Sequence, residues 1–199
     1  MRLVLGSDLH GHLPDVPPCD ILVLAGDLLP ENDQELFIDN NLAPWLERSP
    51  AGDIVATWGN HDHKPFKHWY RDFRWRLLVD SSAHIKGLRF HGTPWCLPIG
   101  RWAWQAPEYL LRNIYELIPD DVDILISHAP PRGICDRTVD GVDCGSRELV
   151  RRINQLKNLK FLVCGHIHEG RGQVGKVLNV ACLDEKYKLR KNPWTVVEI

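Results

Sequence analysis

The chain reads as an α/β protein built from stacked sheets and helices, and three observations lead there. Short apolar runs rich in Ile, Leu and Val lie at residues 3–5, 21–25, 54–57, 124–126 and 161–164, each ending in Gly or a polar cluster. Between them lie segments whose apolar residues recur at helical spacing. The last part, residues 174–181 and 195–199, is instead β-rich and flanked by Gly and Pro. Alternating β and α units with extra strands late predict an α/β layered sandwich.

Each element has its own warrant. Apolar runs this short, bounded by turn residues, read as strands buried on both faces. One helix is expected over residues 31–47 and another over about residues 67–77. Leu110, Leu111, Ile114, Leu117 and Ile118 follow a helical repeat after Pro107 and Glu108, a suitable helix start. Leu149, Ile153 and Leu156 do the same after Ser146, a good N-cap, with Glu148 in the first turn. The β-rich end predicts a second sheet region with hairpin connections.

The 199 residues suit one domain spanning residues 1–199, with volume for a proper core. A net charge of −2 gives no overall pull toward nucleic acid or an anionic membrane. Basic clusters at Arg71, Arg74 and Arg76, at Arg151 and Arg152, and over residues 186–191 fit solvated faces. No apolar stretch approaches the roughly 20 residues that cross a bilayer. The run at residues 2–5 meets Asp8 too soon for a signal peptide. Cysteines 19, 96, 135, 144, 164 and 182 form no CxxC pair, and a reduced, cytoplasmic state is expected.

Five polar segments follow the apolar runs: Asp8-Leu9-His10, Gly26-Asp27, Gly59-Asn60-His61-Asp62, Ser127-His128 and Gly165-His166-Ile167-His168. Ligands of open α/β sheets collect at the carboxyl ends of strands, so these five loops should converge on one rim. Taken singly, each segment is common in turns and caps. Together they gather carboxylate, imidazole and amide groups, the ligand set of a pair of hard-to-borderline divalent ions. Paired ions of that kind hydrolyse phosphate esters.

Asp8 and His10 are two apart, as are His166 and His168, and in extended backbone such pairs point the same way. Asp27 has two oxygens with which to bridge, and Asn60 offers a neutral carbonyl oxygen. His12 and His63 lie beside the motifs, and Arg132 and Arg171 each follow one; these four are candidate substrate contacts. Trp95, Trp102 and Trp104 with Arg101 invite nucleobase stacking. Anchoring an irregular loop is the commoner use of Trp and ranks first.

The series DLH, GD, GNHD, SHAPP and GHIHEG, from Asp8 to His168, resembles the signature of the calcineurin-like metallophosphoesterase superfamily. The stretches PPCDILVLAGDL, HGTPW, DVDILISHAPP, CGHIHEGRG and LNVAC are similar to small metallophosphoesterase-domain proteins without a cap, over most of the chain. The resemblance implies a four-layer αββα sandwich of two mixed β-sheets flanked by helices. It implies one metal on Asp8, His10, Asp27 and His168, and a second on Asp27, Asn60, His128 and His166. His61 matches the position that touches the substrate phosphate and assists the leaving group.

The same resemblance implies in-line attack by a metal-bridging hydroxide, between ions roughly 3.5–4 Å apart. Two divalent ions, two aspartates and one hydroxide leave a single positive charge to attract phosphate. One departure bears on His61: Pro30 stands where many relatives place an acidic residue. Glu31, Asp62 or a backbone carbonyl would then orient the ring. The leading expectation is a phosphodiesterase for small nucleotide-like esters. A broad phosphomonoesterase or protein phosphatase comes second, ahead of a nuclease or a non-catalytic scaffold. Mn²⁺ leads among the ions, with Fe, Zn²⁺ and Mg²⁺ using the same ligands. The expected partner is a small phosphate ester, and the sequence is silent on oligomeric state.

Overall fold

Apolar runs become strands, and the strands gather into two sheets. The computed structural model describes residues 1–63 and 73–199. In the first sheet β1 (Arg2–Gly6), β2 (Ile21–Ala25) and β3 (Asp53–Thr57) run parallel, and the two-residue β4 (Arg76–Leu77) continues beyond β3. The second sheet has the order β5 (Ser81–Ile85), β6 (Leu88–Thr93), β7 (Ile124–Ser127), β8 (Phe161–Cys164), β10 (Val177–Asn179), β9 (Gly172–Val174). It is parallel from β6 to β10, with an antiparallel hairpin at each edge.

Strand alternation sorts these residues into layers. Leu3, Leu5, Ile21, Val23 and Ala25 meet Phe90, Ile124, Ile126 and Val163 between the sheets. Val4, Leu22, Leu24, Ile54 and Ala56 point the other way, onto Ile38, Leu42, Trp45 and Leu46. Leu125, Leu162 and Cys164 likewise pack outward on Leu111, Tyr115 and Leu149. Burial on both faces explains why the runs are continuously apolar. Each such Leu or Ile withdrawn from water contributes about 1.5–3 kcal/mol. The result is the four-layer αββα sandwich.

Helices cover both outer faces. The first stretch joins α1 (Gln34–Phe37), a π turn (Ile38–Leu42) and α2 (Ala43–Arg48), close to the expected residues 31–47. Pro44 has no N–H to return to the preceding turn, and that turn widens so that Ala43 N–H reaches Ile38 O. Behind the second sheet lie α3 (Glu108–Tyr115) and α4 (Arg147–Ile153). Ser146 caps α4, its Oγ accepting from Leu149 N at 3.2 Å. Glu108 fastens the two helix starts, accepting from Ser146 Oγ and Arg147 N at 2.7 Å each.

Two expectations change, and one hairpin has no counterpart in the sequence reading. The β9–β10 hairpin forms, but β11 (Thr195–Glu198) joins the first sheet, antiparallel to β1. The β5–β6 hairpin carries no apolar signal in β5, where Ser81 and Ser82 are exposed, and its turn uses Lys86 and Gly87, both at positive φ. The helix over residues 67–77 lies mostly outside the described residues, as does Arg71, and its described end is the strand β4.

Candidate metal centre

The two sheets meet at the rim where the polar segments emerge. Cys182 N donates to Ser7 O at 2.9 Å, beside a parallel bridge between Ser7 and Ala181. Asp8, Asp27, Asn60, His128 and His166 each leave a strand end here. The backbone is not extended, however: Asp8, His10, Asp27 and His166 have φ of 54°, 43°, 52° and 68°. Such left-handed residues cost about 1–3 kcal/mol each and persist only where neighbours hold them. Asp8 N donates to Gly26 O and His10 N to Asp27 O, both at 2.9 Å, so each kink is pinned to the next loop. Asp8 and His10 therefore converge through a kinked turn rather than through a strand repeat.

Three overlapping groups result, their donor atoms within 4.8 Å of one another: Asp8, His10 and His168; His10, Asp27 and His61; Asp27, His128 and His166. Asp27 Oδ2 lies 3.7 Å from His10 Nε2 and 3.3 Å from His128 Nε2, between the outer groups. Asn60 Oδ1 is 2.9 Å from His128 Nε2, and His168 Nε2 is 3.5 Å from Asp8 Oδ1. His166 and His168, despite their matching spacing, go to different groups.

The donor chemistry fits divalent cations. His128 Nδ1 is 2.9 Å from Ala25 O, and His168 Nδ1 is 2.9 Å from Asp184 O. A carbonyl only accepts, so each Nδ1 carries its hydrogen and each Nε2 faces a carboxylate. Burial alone would lower both histidines, but Asp27 beside His128 and Asp8 beside His168 push them up to about 9. Burial lowers His10 to about 4 and His166 to about 3, leaving neutral rings with a free lone pair. Burial would raise Asp8, yet the His168 hydrogen bond and charge bring it down to about 2. Asp27 is likewise held ionised, burial being outweighed by the charge of His128. His10 Nε2 is buried without a hydrogen-bond partner, a costly state for a polar atom.

Two glycines are demanded by close approach. A Cβ on Gly59 would meet Asp27 Oδ1 and, at 2.6 Å, His128 Cε1. One on Gly165 would meet Asp8 Oδ2 and Ser7 Oγ. Nearby, the Asp62 carboxylate accepts from Leu28 N and Leu29 N at 3.0 Å and from Gly59 N at 2.8 Å. It staples two ligand loops together and is turned away from the task of orienting His61. Burial and the Asp27 charge push it up to about 8, against the pull of those amides.

His61 is placed by other means. Its N–H donates to Asp27 Oδ1 at 2.7 Å, and its carbonyl accepts from Gln34 Nε2 at 2.7 Å. Gln34 also donates to Pro30 O at 2.8 Å and accepts from His63 N at 2.9 Å, tying α1 to the whole loop. The His61 ring rests 4.0 Å from the Trp102 ring, centroid to centroid. Glu31 is exposed at the pocket edge.

A pocket of about 470 Å³ opens over the rim, lined by His10, His12, Glu31, His61, Trp102, Leu183 and Tyr187. His12 is exposed at its edge, and His63 stacks on Trp102 with centroids 5.5 Å apart. Arg132 and Arg171 are not brought to it. Arg132 donates to Asp143 O at 2.7 Å, and Arg171 to Pro193 O at 2.7 Å and Thr195 Oγ1 at 3.3 Å, fastening β11. Among the tryptophans, Trp95 and Trp104 anchor the loop through Asp80 and the Asp62 carbonyl, while Trp102 turns to the pocket. Gln34 and Tyr187 escaped the sequence reading; neither belongs to a motif or a strand end.

A rim that gathers carboxylate and imidazole groups in this way on an αββα sandwich is a candidate metal centre, and the comparisons point to the same class of protein. The family model for calcineurin-like phosphoesterases matches residues 1–170, and the chain belongs to that family. Metallophosphoesterase domain-containing protein 1 of human and of mouse is 36% identical over 207 residues, covering 86% of this chain and 61% of each relative. UPF0046 protein C25E10.12 of Caenorhabditis elegans is 29% identical over 225 residues, covering 97% of this chain and 79% of its own. UPF0046 protein T07D4.2 of the same organism is 32% identical over 121 residues, covering 58% and 31%. The chain thus spans under two thirds of the length of the human, mouse and T07D4.2 relatives.

Proposed function

We propose that the chain is a dinuclear metal-dependent phosphoesterase, and specifically a phosphodiesterase for small nucleotide-like esters. The observation that carries the reading is Asp27, whose carboxylate stands between the Asp8–His10–His168 group and the His128–His166 group. Asp8, His10, Asp27 and His168 would hold one ion, and Asp27, Asn60, His128 and His166 the other. Two divalent ions, when bound, lower the pKa of water and neutralise charge on phosphate oxygens. Mn²⁺ is the proposed pair, suited to mixed oxygen and imidazole ligands.

The chain's own contribution is orientation and a proton. His61 sits beside the rim and in the pocket, where its imidazole proton would pass to the departing ester oxygen. Burial lowers its pKa, and the Asp27 charge works the other way. General acid help of this kind is worth on the order of 10²–10⁴ in rate. A pocket of about 470 Å³ suits a compact ester, and a net charge of −2 offers no broad basic track for long nucleic acid. Six free cysteines accord with a reducing cytoplasm, and no helix among the described residues is long and apolar enough to cross a membrane.

Bis-p-nitrophenyl phosphate set against p-nitrophenyl phosphate, with Mn²⁺ present, tests the reading. Faster release from the diester is expected. A strong preference for the monoester would replace it with a phosphomonoesterase or protein phosphatase.

A further inference from the structure

Tyr187 lines the pocket, and nothing above gives it a task. It belongs to a turn folded by one side chain: Asp184 Oδ1 accepts from Lys186 N and Lys188 N, both at 2.9 Å. Asp184 N donates to Lys188 O at 2.9 Å, and Tyr187 N to Asp184 O at 3.0 Å. That same carbonyl accepts from His168 Nδ1, and Arg190 Nη2 donates to His168 O at 3.0 Å. The turn is therefore fixed to a rim histidine at two points.

Tyr187 itself stands at φ 57°, a conformation that a bulky side chain adopts only when the surroundings impose it. Its ring centroid lies 4.9 Å from that of His10 and 4.8 Å from that of His168, both in edge contact. His61, with Trp102 against it, is farther, at 6.5 Å. No ring among the described residues stacks flat on Tyr187, and the residue is 52% exposed.

We propose that Tyr187 is the specificity-determining residue of this pocket, a stacking wall for a planar aromatic group on the ester arm that stays with phosphorus. The inference rests on the phosphoesterase reading and on the side of the pocket Tyr187 occupies. His61 and Tyr187 both touch the His10 ring, at 4.7 and 4.9 Å between centroids, but stand 6.5 Å from each other, so with the leaving group at His61 the ring of Tyr187 is left for the other arm. A flat ring on a pre-formed turn binds a base-like arm by stacking and gives an alkyl arm little.

The test uses two diesters with the same leaving group: the p-nitrophenyl ester of thymidine monophosphate, and ethyl p-nitrophenyl phosphate. Both are assayed with the full chain and Mn²⁺, and the readout is the ratio of their kcat/KM values. The wild-type ratio should favour the thymidine ester. Tyr187→Ala and Tyr187→Leu should lower it by roughly tenfold, mainly through KM for the thymidine ester, as expected for one lost base stack. Tyr187→Phe should keep it.

An unchanged ratio in Tyr187→Ala overturns the proposal, as does a loss in Tyr187→Phe equal to that in Tyr187→Ala. Equal wild-type use of the two esters overturns it too, while leaving the phosphoesterase reading intact. Release of p-nitrophenol from neither ester removes both this proposal and the phosphodiesterase reading.

Discussion

The rim and the pocket wall beside it are held by different forces. Along the rim, Asp8, Asp27, Asn60 and His128 are buried at strand ends, and amides of neighbouring loops grip their backbones and carboxylates. The wall is made of Trp102 and Tyr187, partly exposed rings on loops that rest against imidazoles. The first arrangement tolerates almost no displacement, because each ligand loop is tied to the next. The second tolerates a change of ring with a graded cost. On the proposed function, holding ions and choosing an ester fall to different parts of the molecule, and they should fail differently.

The sharpest break of the rim is Asp27→Asn. The carboxylate between the two groups disappears, so metal content should fall from two ions to less than one per chain. Removing outer partners of a metal ligand already costs about 10–100-fold, and the loss of turnover here should exceed that. Elemental analysis beside the diester assay checks it. Full occupancy in the variant would contradict the shared position of Asp27.

His61→Asn tests the boundary between the two regions. Both ions should stay, while turnover falls on the order of 10²–10⁴ for poor leaving groups such as nucleosides. Losses of equal size for p-nitrophenyl and nucleoside esters would end the proton-donor assignment.

Gly165→Ala probes how closely the rim is packed. The new methyl group must displace Asp8 or Ser7, whose side chains are themselves joined at 2.6 Å. Overpacking of this sort costs about 1–3 kcal/mol. A lower melting temperature together with weaker metal uptake is expected. Unchanged metal affinity would show that the rim can relax after all.

What the sequence disclosed follows the same division. Residues 21–25 and 161–164 carry their strand signal in composition, and Asp27 and His166 are legible because a strand must end before them. Asp8 and His10 were legible as partners for the wrong reason, since their left-handed kinks leave no trace in residue spacing. The hairpin at Ser81–Ile85 and Leu88–Thr93 has exposed serines where a strand pattern would place apolar side chains. Gln34 and Tyr187 act across long sequence separations, through an amide and a ring that no local pattern distinguishes from surface residues. Arg171 illustrates the converse: adjacency to a ligand motif suggested substrate, but its guanidinium closes β11 onto the sheet.

Trp102 offers the smallest and most discriminating change. Pro30 removes the acidic partner expected for His61, Asp62 is engaged by three amides, and the ring's nearest aromatic neighbour is the Trp102 indole at 4.0 Å. Aromatic pairs contribute about 0.5–1.5 kcal/mol beyond burial, which corresponds to roughly 2- to 12-fold in rate if the contact orients the acid. Trp102→Leu should therefore lower kcat by that factor for nucleoside leaving groups and by less for p-nitrophenol. Trp102→Phe should recover most of it, and metal content should not change in either. The pattern separates a wall that aims His61 from one that merely fills space, because a filler would alter KM for every ester alike. Loss of metal in Trp102→Leu would mean that wall and rim are one mechanical unit, and the contrast between them would dissolve.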